Sequence, residues 1–242
     1  MNTIRICAGQ TKMIAHRGLS GLEKENTVPA FTAAGNRSHW GIETDVHVTA
    51  DGKLILIHDS DLKRLTGRDG RVEDMDFETL RSTPILGLDG ETPDFHLRMP
   101  TPEEYLAICK RYGKHSIIEL KERMPDDAIR RLVETVSGAE MLEDTTFISF
   151  QYENLVKLRE MLPEQPIQYL YQGELGEELI EKAKAYGFDL DVKYRGLTKE
   201  WIDRCHESGL VVNCWTVNDQ ETGNRLAEWG IDYITSNILE AE

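Results

Sequence analysis

The sequence predicts a (β/α)8 barrel, or TIM barrel, formed by a single domain that spans residues 1–242. Short apolar runs typical of buried strands alternate with amphipathic helical stretches, and this alternation is typical of a parallel sheet. Eight such strands favour a closed barrel, since barrels of this kind commonly take about 250 residues. One connection is much longer than the others and predicts a small insertion after the second strand.

Each predicted element follows from this alternation. The predicted barrel strands are, in chain order, Met13–Ala15, Ile42–Val46, Ser116–Leu120, Thr146–Phe150, Ile167–Tyr171, Phe188–Val192, Val211–Thr216 and Tyr233–Ser236. The predicted helices are Thr27–Ser38, Glu103–Tyr112, Asp126–Val136, Tyr152–Met161, Glu177–Tyr186, Lys199–Ser208 and Asp219–Trp229. Asn26 or Thr27 can cap the first helix. Little chain follows the last strand, so either residues 1–11 cover that side of the barrel or the C-terminal residues supply only a turn.

The long connection lies between the second and third strands. Thr49-Ala50-Asp51-Gly52 is typical of a turn, and Lys53–His58 then forms a return strand. Residues 59–100 are mainly polar, and Pro100-Thr101-Pro102 opens the next helix, where proline in the first turn is tolerated. Because such insertions usually shape the mouth of a barrel, we expect residues 59–100 to border the substrate.

Composition excludes several classes of protein. The chain has 28 Lys and Arg against 43 Asp and Glu, a formal net charge of −15 at pH 7. It is therefore a poor candidate for binding nucleic acid or an anionic membrane, and an anionic substrate needs a local positive site. No apolar run approaches the roughly 20 residues that span a bilayer, and the N-terminus lacks a signal-peptide core. The scattered cysteines are expected to be reduced thiols in a cytoplasmic enzyme that acts on a small molecule.

Three carboxylates are predicted to converge at the barrel mouth, where strands of such barrels carry their functional groups. Strand side chains alternate, so Glu43 and Asp45 point inward together. Glu119 joins them from the third strand, with Lys121 on the same side. Three buried carboxylates cannot all stay ionised without a cation, and oxygen ligands alone favour Mg²⁺ or Ca²⁺. The alternative is a charge cluster neutralised by Arg17 and Lys121 alone.

His16 and His58 follow apolar strands beside this acidic cluster, and we assign them acid–base catalysis. One would remove a proton and the other would supply one to the leaving oxygen. Taken singly, either one is as well explained as a packed, hydrogen-bonded histidine. The side chain of His47 points to the same face of the strand as that of Asp45. We nevertheless expect the following turn to place His47 at the rim, as a structural or peripheral residue.

Arg17 and Lys121 supply the local positive site that an anionic substrate needs. Arginine binds phosphate oxygens in a fork and lysine acts as a point charge, so the pair is suited to a phosphodiester. Simple pairing with neighbouring carboxylates is the alternative. Trp215 lies on an otherwise apolar strand and is predicted to line the substrate pocket, although core packing explains it nearly as well.

Short motifs follow one another in a fixed order along the chain. The first half carries Ala15-His16-Arg17-Gly18, Glu25-Asn26-Thr27, Ala30-Phe31, Glu43-x-Asp45-Val46, Thr49-x-Asp51-Gly52 and His58-Asp59. They continue with Arg64-Leu65-Thr66, Pro100-Thr101, Ile118-Glu119-Leu120-Lys121, Ser149-Phe150 and Trp215-Thr216-Val217-Asn218. A lone His-Arg-Gly is a weak signal, but the ordered set resembles the glycerophosphodiester phosphodiesterase family over nearly the whole chain.

The resemblance implies hydrolysis of glycerophosphodiesters to glycerol 3-phosphate and an alcohol. Either a glycerol hydroxyl attacks phosphorus to give a cyclic phosphate, or water attacks directly. The roles that it implies are His16 and His58 as general acid and base, Glu43, Asp45 and Glu119 as ligands of Mg²⁺ or Ca²⁺, and Arg17 and Lys121 as phosphate ligands. Family members often end with a Thr-Asp-x-Pro stretch, and here Thr235-Ser236-Asn237-Ile238 departs from it, which bears on substrate preference at that rim.

Two other functions fit the same barrel. A related phosphodiesterase acting on lysophospholipids or inositol-containing diesters is the first, but a lipid-directed enzyme should show an apolar rim. The polar segment 59–100 favours a water-soluble substrate instead. A non-catalytic barrel that senses a phosphodiester is the second. Such a protein can lose site residues freely, whereas all seven proposed polar positions are filled here.

Overall fold

The computed structural model describes residues 2–242 and confirms the (β/α)8 barrel. The strands are β1 (Ile4–Ile6), β2 (Lys12–Ala15), β3 (Gly41–Val48), β4 (Leu54–Leu56), β5 (Ile85–Leu86), β6 (Pro93–Asp94), β7 (His115–Leu120), β8 (Thr145–Ser149), β9 (Ile167–Tyr171), β10 (Asp189–Lys193), β11 (Val212–Trp215), β12 (Tyr233–Ser236) and β13 (Leu239–Ala241). The parallel strands β2, β3 and β7 to β12 form the barrel, which closes where β2 pairs with β3.

Helices connect the strands on the outside of the barrel. They are α1 (Val28–Gly35), α2 (Lys63–Thr66), α3 (Phe77–Ser82), α4 (Pro102–Tyr112), α5 (Asp126–Gly138), α6 (Tyr152–Met161), α7 (Glu177–Lys184), α8 (Lys199–Glu207) and α9 (Gln220–Glu228). Of the two residues that the sequence offered as a cap for α1, Thr27 is the one that accepts from the backbone N–H of Ala30. Thr101 and Glu104 form a reciprocal capping box at the start of α4. Caps of this kind stabilise a helix by about 1 kcal/mol each.

The register of the barrel strands brings the predicted carboxylates together. In the pairing of β3 with β7, Asp45 lies opposite Glu119. Two residues earlier on each strand, Glu43 lies opposite Ile117. Paired residues of neighbouring strands point to the same face, so these side chains enter the barrel side by side. Beside them, an apolar cluster of Ile14, Ile117, Ile148 and Leu170 occupies the interior, with Ile117 level with Glu43 and Ile148 level with Glu119.

The side of the barrel next to β12 is covered by both segments that the sequence considered. β1 pairs in parallel with β13, with Ile4 opposite Leu239 and Ile6 opposite Ala241. The buried side chains of Ile6 and Leu239 join the main apolar core of the barrel. Neither possibility was sufficient alone, because the C-terminal residues form a strand and not only a turn.

The return strand predicted after β3 is confirmed as β4, which runs antiparallel to β3. We keep residues 59–100 as the proposed limits of the insertion, which holds α2, α3 and the β5–β6 hairpin. Despite its polar composition, this segment packs with the return strand around an apolar cluster, consisting of Ile55, Ile57, Leu62, Leu65, Val72, Leu80, Ile85 and Met99. Within residues 2–242, no helix has the length and apolar character required to cross a bilayer.

Candidate active site

A cavity of about 100 Å³ opens at the carboxyl ends of the barrel strands. Six of the predicted site residues line it, namely His16, Arg17, Glu43, His58, Glu119 and Trp215. A wider groove of about 550 Å³ lies beside it, shares His58 as a wall and is lined by Lys121 as well. Asp45 contacts both Arg17 and Lys121, so the structure brings all eight predicted residues to one site.

The three carboxylates form a compact oxygen-lined group. One oxygen from each of Glu43, Asp45 and Glu119 lies within 4.8 Å of the others, and all three side chains are buried. Asp45 attracts both neighbouring cations, with Arg17 Nε at 3.6 Å and Lys121 Nζ at 3.3 Å. Lys121 Nζ also lies 2.9 Å from Glu119 Oε1. The cations are therefore concentrated on Asp45, and Glu43 receives little compensation from them.

The pKa values of the carboxylates diverge for this reason. Burial, reinforced by the charges of Asp45 and Glu119, raises the pKa of Glu43 well above its ordinary value. Burial also raises the pKa of Glu119 to about 7, despite the nearby Lys121. Burial acts on Asp45 in the same direction, but Lys121 and Arg17 outweigh it and hold its pKa below the ordinary value. Two buried carboxyls thus require either a proton or a further cation.

Several polar atoms at this point lack a hydrogen-bond partner among residues 2–242. They include Asp45 Oδ1 and Glu119 Oε1, which have only ion pairs with Lys121 Nζ, at 3.3 and 2.9 Å. Buried oxygens are normally satisfied, so these two atoms can accept a ligand. Three converging carboxylates with free oxygens fit a hard divalent cation, so the donor set matches the predicted Mg²⁺ or Ca²⁺.

Arg17 is held in a left-handed backbone conformation, with φ of 56°. Its backbone N–H donates to Glu43 Oε2 at 2.7 Å, and its carbonyl accepts from the N–H of Asn26 at 2.9 Å. The next residue, Gly18, has φ of 72°, and a Cβ there would lie only 2.6 Å from the carbonyl carbon of Ala30. The His-Arg-Gly motif therefore needs glycine at its third position, where the chain passes against α1.

His16 faces the cavity from the end of β2. Its Nδ1 lies 2.7 Å from the amide oxygen of Asn237, so Nδ1 carries the proton and Nε2 has a free lone pair. Burial and then the charge of Arg17 lower the pKa of His16 to about 4. The imidazole is therefore neutral near pH 7. Asn237 belongs to the stretch that departs from the family pattern, and its contact with His16 gives that stretch a place in the site.

His58 has a carboxylate partner instead. Its Nδ1 lies 2.6 Å from Asp59 Oδ1, and the other oxygen of Asp59 accepts from Arg64 Nε at 2.5 Å. Arg64 also donates to Glu25, which pairs with Arg17 at 3.0 Å. Burial lowers the pKa of His58, against the opposing effect of Asp45. A continuous chain of charged contacts thus connects the second histidine with Arg17.

His47 lines the outer groove, as expected of a residue near the rim, but its side chain is buried there. Only 5% of His47 is exposed, and its Nε2 lies 3.1 Å from the carbonyl oxygen of His58. Its Nδ1 pairs with Glu122 Oε2 at 2.7 Å. Burial alone would lower the pKa of His47, but the hydrogen bond with Glu122 raises it. The return strand β4 folds back over β3 and encloses this residue, so His47 supports the backbone of His58.

The sequence interpretation missed several residues that complete the site. Asn26 donates from Nδ2 to Asp45 Oδ2 at 2.8 Å, and Asp59 and Asn237 orient the two histidines. Asn26 and Asp59 belong to the motifs found in the sequence, but the sequence does not indicate which residues they contact in the folded protein. Asp191 also lines the cavity, and its position between the apolar residues Leu190 and Val192 of β10 was an available signal that it points inward.

Trp215 borders the cavity from β11. Its indole Nε1 lies 3.4 Å from the carbonyl oxygen of Asp191, and its ring meets Phe150 edge-on with centroids 5.6 Å apart. With Ile148 and Leu170, these aromatic rings form the apolar part of the cavity wall. This placement agrees with the predicted pocket position, and the hydrogen bond fixes the plane of the indole.

The chain shares its sequence pattern with known proteins. A family model described as the glycerophosphoryl diester phosphodiesterase family matches residues 16–240. A glycerophosphodiester phosphodiesterase from Bacillus altitudinis is 30% identical over 238 residues, which cover 94% of this chain and 95% of that protein.

Solved structures share the fold. A phosphodiesterase from Oleispira antarctica, in complex with the product sn-glycerol-3-phosphate, superposes with a TM-score of 0.86 at 25% identity, covering 95% of this chain and 94% of that one. A glycerophosphodiester phosphodiesterase from Parabacteroides distasonis superposes with a TM-score of 0.79 at 28% identity, covering 94% of this chain and 93% of that one.

Proposed function

The chain belongs to the glycerophosphoryl diester phosphodiesterase family, and on that premise we propose that it hydrolyses glycerophosphodiesters to glycerol 3-phosphate and an alcohol, with a divalent cation. It is a phosphoric diester hydrolase that acts on a small molecule. One observation carries the finer proposal: two histidines, a guanidinium and two of the three converging buried carboxylates line one cavity, with Asp45 and Lys121 in contact with them. The product bound to the Oleispira antarctica relative supports the same substrate class.

Glu43, Asp45 and Glu119 would hold the cation, since their oxygens converge and two of the three carboxyls have strongly raised pKa values. When bound, Mg²⁺ or Ca²⁺ would supply Lewis-acid stabilisation of negative charge on the phosphoryl group. It would also remove the repulsion among the three carboxylates. Asn26 keeps one oxygen of Asp45 oriented through its 2.8 Å hydrogen bond.

His16 and His58 would exchange the protons of the reaction. Both imidazoles have lowered pKa values and an Nδ1 held by a fixed partner, which leaves Nε2 of each as the reactive nitrogen. His16 is neutral and has a free lone pair on Nε2, so it would accept the proton of the attacking hydroxyl or water. Asp59 stabilises positive charge on His58, so His58 would supply a proton to the leaving oxygen.

Arg17 and Lys121 would bind the phosphate from opposite sides of the carboxylate group. Arg17 Nε lies 3.6 Å and Lys121 Nζ lies 3.3 Å from the carboxylate of Asp45. A bound cation would release both side chains from part of that attraction and leave them free to face phosphate oxygens. Positive groups held in place before the reaction stabilise the transition state without further rearrangement.

The test is the release of glycerol 3-phosphate from glycerophosphoethanolamine, measured with and without a chelator. Release should stop with the chelator and return when Mg²⁺ or Ca²⁺ is added. His16→Ala should abolish turnover but still bind the metal, with His96→Ala, an exposed histidine outside the site, as the matched control. Unchanged turnover in His16→Ala would refute the acid–base assignment, and chelator-resistant release would refute the metal requirement.

A lysophospholipid is a second substrate that one observation favours. Leu88 and Phe95 are 70% and 71% exposed in the β5–β6 region of the insertion. Lys24 Nζ lies 3.3 Å from the carbonyl oxygen of Gly87, so this region adjoins the segment that carries Glu25. Rates on glycerophosphocholine and lysophosphatidylcholine should be compared for the wild type and for Phe95→Ser. A selective loss of the lipid rate would establish the apolar contact.

A further inference from the structure

Asp191 is a buried carboxyl in the barrel that the proposed reaction does not use. It lies in the middle of β10 and is 1% exposed. Its neighbours Leu190 and Val192 belong to the apolar core between strands and helices. Because strand side chains alternate, Asp191 points the other way, into the cavity that it lines together with His16, His58 and Glu119.

Nothing in residues 2–242 satisfies this carboxyl. Asp191 Oδ1 is fully buried and has no hydrogen-bond donor. On the neighbouring strands, the residues level with Asp191 are Leu170 and Asn213. Leu170 offers no polar group, and the amide of Asn213 is already used by Gln168 Oε1 at 3.3 Å and by the hydroxyl of Thr235 at 3.2 Å. Among the described residues, neither neighbour therefore donates a hydrogen bond to Asp191.

A carboxyl buried without a partner destabilises a fold, so such groups are rare unless a ligand completes them. Burial, and then the charge of Glu119, raises the pKa of Asp191 well above its ordinary value. A neutral carboxyl both donates and accepts hydrogen bonds, which matches a hydroxyl group and not a metal ion. Consistent with this, Asp191 lies outside the group of carboxylates whose oxygens converge within 4.8 Å.

The cavity around Asp191 is suited to a small alcohol. It is closed by the apolar side chains of Ile148, Leu170 and Trp215, which fit a short carbon chain. The wider groove on the other side of His58 is lined by charged residues and leaves room for a second alcohol of variable size. A phosphodiester placed between the two histidines would therefore direct its smaller half toward Asp191.

We propose that Asp191 binds a hydroxyl group of the glycerol moiety and makes the inner cavity selective for it. The inference rests on the proposed function, since it assumes that a glycerophosphodiester occupies this site. It deepens that function by naming the residue that distinguishes glycerol from an alcohol of the same length without hydroxyls. A hydroxyl that satisfies a buried polar group is recognised strongly, because its absence leaves that group unpaired.

The experiment compares the binding of glycerol 3-phosphate and n-propyl phosphate by calorimetry, on the full chain with saturating Mg²⁺. The wild type should prefer glycerol 3-phosphate by about tenfold or more. Asp191→Leu and Asp191→Ala remove the carboxyl and should bind the two ligands equally, through weaker binding of glycerol 3-phosphate alone. Asp191→Asn, which keeps a hydrogen-bonding group, should retain part of the preference. Either Leu or Ala suffices if the other fails to fold.

Asp189→Asn is the matched control, because Asp189 begins β10 and accepts from the N–H of Val211 outside the cavity. It should keep the full preference. A purely structural Asp191 predicts equal weakening of both ligands together with a lower Tm, and that result would overturn the inference. An undiminished preference in Asp191→Leu, or none in the wild type, would also overturn it. Failure of the wild type to hydrolyse any glycerophosphodiester would instead overturn the proposed function.

Discussion

Arg64 makes a bidentate hydrogen bond with Glu25: its Nη1 and Nη2 lie 2.8 and 2.7 Å from the two carboxylate oxygens. The third nitrogen of the same side chain, Nε, holds Asp59 at 2.5 Å. Asp59 orients His58, and Glu25 pairs with Arg17. A single half-exposed arginine on α2 therefore fixes the partners of one proposed catalytic histidine and of the phosphate-binding arginine.

The first prediction concerns this arginine. Arg64→Lys keeps the charge but cannot make the fork, so Asp59 and Glu25 lose their common anchor. We expect kcat to fall by about tenfold or more with little change in Tm, because misplacement of reacting groups by about 1 Å can cost up to 100-fold. Steady-state kinetics on glycerophosphoethanolamine check it. Arg68→Ala, an exposed neighbour, is the control and should leave kcat unchanged.

The second prediction concerns metal binding. Mg²⁺ or Ca²⁺ at about 100 times its Kd should stabilise the wild type by about 2.7 kcal/mol, because it binds only the folded state. Glu119→Gln removes one converging carboxylate and should lose most of this gain. Thermal unfolding with and without the metal measures both. Glu103→Gln, on the outer surface of α4, should respond as the wild type does. An equal gain in Glu119→Gln would contradict the assigned ligands.

The third prediction concerns stability and pH. In the folded state, the pKa of Asp191 is raised above its ordinary value of 3.8. Its contribution to the free energy of unfolding is therefore fully present below about pH 3.8 and is lost as the pH rises toward the folded-state pKa. Asp191→Asn removes this dependence. The variant should exceed the wild type in unfolding free energy at pH 8, and the difference should shrink toward pH 4. Urea unfolding at several pH values gives the result; a constant difference would count against it.

The fourth prediction concerns the amide partner of His16. Asn237→Asp places a carboxylate 2.7 Å from Nδ1, where it favours the imidazolium and raises the pKa of His16 above its present value of about 4. The part of the pH–rate curve that is set by the ionisation of His16 should move to higher pH by about one unit or more. The pH dependence of kcat/KM shows this. Asn224→Asp, far from the site beside Cys7, should leave the profile in place.

Much of the fold and site follows from local rules in the sequence. Strand alternation predicted that Glu43 and Asp45 point inward, and strand order brought Glu119 beside them. What local rules could not supply are contacts between distant segments. The pairing of β1 with β13 joins Ile4 to Leu239, and the segments themselves give no signal of it.

His47 illustrates the same limit at the site. Its parity on β3 was clear, but its burial depends on how tightly the return strand folds back and on Glu122 from the loop after β7. The left-handed conformation of Arg17 likewise arises from contacts with Glu43 and Asn26, and arginine itself has no preference for it. Residue identity thus predicted which groups meet, whereas their exact orientation came from tertiary contacts.

His58 lies where the inner cavity meets the outer groove, and this position bears on the order in which the two products would be released. With a substrate bound as proposed, bond cleavage leaves the alcohol on the solvent side of this histidine and glycerol 3-phosphate behind it. On that placement the alcohol would be the product nearer to solvent and would diffuse away first. Glycerol 3-phosphate would then be released last, and its accumulation would slow the enzyme by competing directly with the next substrate molecule.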